Sequence, residues 1–175
     1  KLDTSWIDAS ADSDGNAAGT KENPYILLDR GDLYGFAELV NEGNTFEGKY
    51  VSLGANIEVN FDGKAADWAN GEEADHSWVP IGVAKEKHFM GTFDGKNPMT
   101  EETQEISGLY FVADKVGGLF VDTDNATLKN FVLANSYFKA EEGSAPVAGW
   151  YNGGTFDTIK VAKDVITENY HSTKG

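Results

Sequence analysis

The feature that most constrains this chain is an internal repeat in its second half. Thr127-Leu128-Lys129-Asn130-Phe131-Val132-Leu133-Ala134 lies over Thr155-Phe156-Asp157-Thr158-Ile159-Lys160-Val161-Ala162 at a shift of about 28 residues. Leu128 meets Phe156, Phe131 meets Ile159, and Leu133 meets Val161. The same shift carries Gly118-Leu119-Phe120 onto Pro146-Val147-Ala148, and Tyr137-Phe138 onto Val165-Ile166. A shorter copy, Ile106, Leu109 and Phe111, falls on Leu128, Phe131 and Leu133 at about 22 residues. A unit of this size makes a few short strands joined by turns. Its apolar row cannot be buried alone; stacking the next unit over it buries the row and pairs the backbone groups. The repeat therefore predicts an all-β parallel β-helix, a solenoid. Leu128, Phe131, Leu133, Phe156, Ile159 and Val161 should point inward in adjacent coils.

The first half reads differently. Residues 1–31 form an entry segment, rich in Asp, Ser, Ala, Asn and Gly from Trp6 to Glu22. Tyr25-Ile26-Leu27-Leu28 after Pro24 is a short strand. Residues 32–42 predict the one clear helix, with Asp32 as N-cap, Leu33, Phe36, Leu39 and Val40 at helical spacing, and Gly43 as the stop. It is expected to cap one end of the coils. Strands of period two then run over 46–166, interrupted by a polar, acidic insertion from Asn60 to Ser77. All 175 residues are taken as a single module. Thr167 to Gly175 are polar and no second cap follows, so a fragment of a larger protein is expected.

At these residues the chain resembles a known family. The stretches Gly19-Thr20, Asn23-Pro24-Tyr25-Ile26, Asp32-Leu33 through Gly43, and Gly48-Lys49-Tyr50-Val51 look like a common opening module. So do Trp78-Val79-Pro80-Ile81-Gly82, Phe89 with Gly91-Thr92-Phe93-Asp94-Gly95, and Ile106 with Gly108-Leu109. They resemble the GLUG-motif modules of secreted and cell-surface proteins from gut-type anaerobic bacteria. That resemblance implies a right-handed parallel β-helix, a secreted or surface location, and no catalytic residues to carry over. Val121 stands where the motif has Gly, Pro146 opens another copy, and Asn97 to Gln104 enlarge a turn.

Charge narrows the partners. The net charge is −15, with Arg30 as the only arginine. Nucleic acid and anionic membrane surfaces would repel such a chain. No apolar run is long enough to span a bilayer, so no membrane insertion is expected. With no cysteine, disulfides, zinc-thiolate sites and cysteine nucleophiles are excluded.

Few residues carry chemistry in a recognisable grouping. Ser10, Asp12, Asp14 and Gly15 resemble the start of a calcium loop, which places oxygen ligands at alternate positions with a Gly turn. Glu22 comes one residue late to close it. Asp12 and Asp14 are thus the metal candidates, beside a plain solvated turn. The acidic insertion, with Asp62, Asp67, Glu72, Glu73 and Asp75, is read as a solvated face that could also collect a cation. Glycoside hydrolysis needs two carboxylates across a cleft. Asp94, Asp114, Asp122, Asp124 and Asp157 all fall near coils, but 29 acidic residues guarantee chance pairs. His76, His88 and His171 are scattered. Aromatic faces stack on sugar rings and anchor interfaces. Trp78 is read as core, whereas Trp68, in the acidic insertion, and Trp150-Tyr151, at a corner, are the candidate ligand-binding residues.

The sequence reading is a non-enzymatic structural or adhesive module of an extracellular bacterial protein, monomeric, with no cofactor beyond calcium. Its partner is a host or bacterial surface glycan or protein. The alternatives are a carbohydrate-binding module, or a polysaccharide lyase or hydrolase on the same fold.

Overall fold

The computed structural model describes residues 1–83 and 86–170. In chain order the elements are a 3-10 helix Ser5–Asp8, β1 Tyr25–Leu27, α1 Arg30–Asn41, β2 Tyr50–Leu53, β3 Ile57–Glu58, α2 Ala65–Ala69, β4 Thr92–Asp94 and β5 Gln104–Ser107. They continue as β6 Tyr110–Ala113, β7 Phe120–Asp124, β8 Thr127–Ala134, β9 Ser136–Ala140, β10 Ala148–Asn152, β11 Thr155–Val161 and β12 Val165–Asn169.

Every pairing between these strands is parallel. One sheet runs β1-β2-β4-β8-β5-β3, with β11 also on β8; β7 and β10 form a second, and β6, β9 and β12 a third. This corrects the expected all-β right-handed parallel β-helix. The strands stack in parallel, but in three separate sheets with no closed solenoid, and the chain is 37% strand and 12% helix. The connections explain the difference. Val51, Phe93, Leu128 and Phe156 align across one sheet, yet unequal lengths of chain separate them. The stretch after β3 holds α2 and irregular backbone instead of strands.

The later repeat positions the strands as its register requires. Phe156 lies beside Leu128, Ile159 beside Phe131 and Val161 beside Leu133, and Ala148 lies beside Phe120. Two registers differ. Ile166 pairs with Tyr137, not with Phe138, because the corner before β12 is one residue longer than the corner before β9. Ile106 pairs with Leu133 and Phe111 with Phe138, so the shift of about 22 residues is not a structural register. Inward burial is also uneven. Leu128, Phe131 and Leu133 are fully buried, Ile159 is half-buried, and Phe156 and Val161 are each 42% exposed, because β11 is covered on one side only.

Strand β8 bends at Asn130, whose φ is 59°. Asn tolerates the left-handed region better than most residues, and Asn130 Nδ2 donates to Asp94 Oδ1 at 3.0 Å. The bend splits the strand. Its first part pairs with β4 and its second with β5. Thr158 repeats the bend in β11 with a φ of 55°.

Helix α1 starts earlier than expected. Asp29, not Asp32, is the N-cap, accepting from the Asp32 backbone N–H at 3.0 Å. The Asp32 carboxylate accepts from Leu28 N–H at 2.8 Å; burial pushes its pKa up. Gly43, at φ 111°, ends the helix as the sequence indicates. Leu33, Phe36, Ala37 and Val40 enter the same core as the strands. Phe36 is its hub, 5.3 Å from Phe46 and Phe89, 5.9 Å from Phe93 and 6.2 Å from Phe120.

Candidate functional site

Strands β7 and β10 lie side by side, with Trp150 beside Asp122, Tyr151 beside Thr123 and Asn152 beside Asp124. With Pro80, Val83, His88 and the end of β6, they border a groove of about 890 Å³. Phe111, Val116 and Val121 give it apolar surface; Lys115 and Glu142 add charge. No strand lies beyond β10 among the described residues, so Trp150 and Tyr151 remain 62% and 67% exposed. Tyr151 is steadied edge-on by Phe156, with ring centres 5.4 Å apart.

The polar side of the groove is hydrogen-bonded. Asn152 Nδ2 donates to Asp124 Oδ1 at 3.1 Å, and His88 Nε2 stands 3.9 Å from Asp124 Oδ2. The opposite wall is anchored from α1. The Asn41 carboxamide accepts from Gly82 N–H at 2.8 Å and donates to the Pro80 carbonyl at 3.0 Å. Gly82 has a φ of 79°, and a Cβ there would come within 2.5 Å of the Asp122 carbonyl. Only glycine lets this segment approach β7 so closely. A glycine after Trp-Val-Pro-Ile was visible in the sequence; the contact that needs it was not.

No protein-family model, curated protein or solved structure matches the chain. The site therefore rests on its own geometry. Aromatic side chains lining a groove with a carboxylate and an amide suit a ligand with both apolar faces and hydroxyl groups.

The other sequence candidates fall elsewhere. Trp68 is not a surface residue: it lies on α2, is 4% exposed, and packs edge-on against Tyr110 at 5.7 Å. The insertion that carries it folds back on the third sheet. Asn60 closes its neck, donating to the His76 and Gly108 carbonyls at 2.8 and 2.9 Å. Asn135 holds α2, accepting from Ala65 N–H and donating to the Gly63 carbonyl, both at 2.9 Å. Trp78 is core, with its indole N–H donating to the Gly118 carbonyl at 3.1 Å.

Asp12 and Asp14 sit in an exposed turn. Asp12 Oδ1 accepts from Asp14 N–H at 3.0 Å and Asn16 N–H at 2.8 Å, while Oδ2 accepts from the Asn16 amide at 3.0 Å. The hydrogen bonds from Asn16 hold the Asp12 pKa below the usual carboxylate range. Among the described residues, no three His, Cys, Asp or Glu side chains gather in a way that could hold a metal ion. Asp94 serves its turn, accepting from Lys96 N–H at 3.0 Å. His171 lies outside the described residues. Among those residues, no helix is long and apolar enough to cross a membrane.

Proposed function

We propose that this chain is a non-enzymatic adhesive module of a secreted or cell-surface bacterial protein, and that it meets a glycan in the groove beside β10. The observation that carries this reading is the neighbouring pair Trp150 and Tyr151, left exposed on an edge strand at the rim of that groove. Large aromatic side chains normally bury their faces, so two exposed at one cleft favour a ligand that covers them. Asp124 and Asn152 stand beside them to accept from and donate to sugar hydroxyls. The chain's −15 charge favours neutral over acidic glycans. The extracellular setting is supported by the GLUG-type stretches around Gly19, Trp78 and Phe89.

Glycan-array binding followed by calorimetry tests the reading. The chain should retain one or more neutral oligosaccharides, and Trp150→Ala or Tyr151→Ala should weaken them about tenfold, as loss of an aromatic anchor does. No retained glycan, or equal binding by both variants, would refute the glycan site. Reproducible product release from polysaccharides would overturn the non-enzymatic part.

A further inference from the structure

The groove beside β10 changes character along its length. Trp150 lies beside Asp122 and Asn152 beside Asp124, while Gly149 falls beside Val121. One end is therefore apolar and the other polar, with Trp150 between them. Val121 and Asp124 are three residues apart, roughly 10 Å at strand spacing, enough for one sugar ring and a side group. Gly149 shapes the apolar end. A Cβ there would come within 2.7 Å of Val116 Cγ1, so the missing side chain is what lets Val116 lie against β10. Phe111 packs on the same corner, since a Cβ on Gly117 would come within 2.6 Å of its ring.

Charge at the apolar end comes as one donor and one acceptor. Gly117 bridges Ser144 in parallel, and its N–H donates to the Gly143 carbonyl at 3.0 Å. The same register runs Lys115 beside Glu142, and both line the groove. Both are exposed, and neither forms an ion pair among the described residues. The Lys115 ammonium can only donate and the Glu142 carboxylate can only accept. An amide matches that division, because its carbonyl accepts and its N–H donates. An acetamido group adds a methyl for Val116 and Val121. A plain sugar would set a hydroxyl against those two side chains, and burying it unpaired costs free energy.

We propose that the ligand of this groove is a neutral, N-acetylated amino sugar. Its ring lies on Trp150, its acetamido group meets Val116, Lys115 and Glu142, and its hydroxyls reach Asp124 and Asn152. This rests on the glycan reading of the groove and narrows it. Calorimetry on matched trisaccharides tests it, N-acetylated against plain, in both gluco and galacto configurations. Circular dichroism confirms that each variant folds. In at least one pair the N-acetylated member should bind about tenfold tighter, the low end for one extra group in an apolar pocket. Val116→Thr keeps the side-chain shape but puts a hydroxyl in the apolar wall, and should bring the two members close to equal. Lys115→Ala with Glu142→Ala should do the same, whereas Trp150→Ala should weaken both members alike. Plain members bound as tightly as N-acetylated ones would overturn this proposal and leave the glycan reading standing. Binding of no member by the parent chain would overturn both. A preference that survives Val116→Thr and the Lys115, Glu142 double change would also overturn the proposal.

Discussion

Trp68 tests most directly how the acidic insertion is held. Its indole is nearly buried with Ala65 and Tyr137, and Ala69, Ala74, Tyr110 and Ile166 pack around them. Truncating a buried Trp to Ala costs roughly 3–5 kcal/mol. This cluster is separate from the main core, so the loss is capped by the free energy that docks the insertion. Without Trp68 that docking rests largely on the Asn60 and Asn135 hydrogen bonds, each worth about 1 kcal/mol. The expected cost of Trp68→Ala is therefore at the low end, about 3 kcal/mol. Gly63 gives an independent handle. A Cβ there would lie 2.2 Å from Trp68 Cζ2 and 2.6 Å from Cε2. Gly63 is not among the left-handed residues, so Gly63→Ala tests overpacking rather than backbone strain, at about 1–3 kcal/mol. Once Trp68 is Ala the obstruction is gone, and Gly63→Ala should cost almost nothing. Urea denaturation of the parent, both single variants and the double variant closes the cycle. Additive costs, or a Trp68→Ala cost below about 1 kcal/mol, would refute burial of the indole.

Asn135→Ala removes the hydrogen bonds to Ala65 N–H and the Gly63 carbonyl and puts Ala at a φ of 41°. It should cost about 2–3 kcal/mol and speed amide exchange in Ala65–Ala69 selectively; unchanged exchange there would refute the clamp. Phe36→Ala should cost roughly 3–5 kcal/mol in urea denaturation, whereas Trp150→Ala, on an exposed side chain, should cost less than about 1 kcal/mol. Thr158→Asn copies Asn130 at a left-handed position and should raise stability by about 1 kcal/mol; a lower urea midpoint would refute strain at that bend. Burial pushes the Tyr34 phenol up to about 12, against about 10 for a free phenol. The folded state then holds the proton that the unfolded chain releases, so stability should fall as pH rises from about 10 to about 12. Tyr34→Phe should flatten that fall, and an identical pH profile would refute it.

The sequence alone determined the stacking of the late strands. A 28-residue self-similarity with apolar alternation forces Leu128, Phe131 and Leu133 to meet Phe156, Ile159 and Val161, because only in-register parallel pairing buries such a row. Gly43 likewise determined where α1 stops, since an αL position after an apolar helical run suits glycine. Burial was decided elsewhere. Trp68 and Trp150 are equally hydrophobic in the sequence. One is covered because Asn60 and Asn135 fold the insertion onto β9, and the other is open because no described strand pairs with the outer edge of β10. The three separate sheets were also beyond a local pattern, since long connections and α1, not strand periodicity, set how the layers close around Phe36. The groove was least legible of all. Its parts come from Asn41, Gly82, Asp124 and Trp150, far apart in the chain, and only tertiary contact, through side-chain hydrogen bonds to distant backbone, brings them to one place.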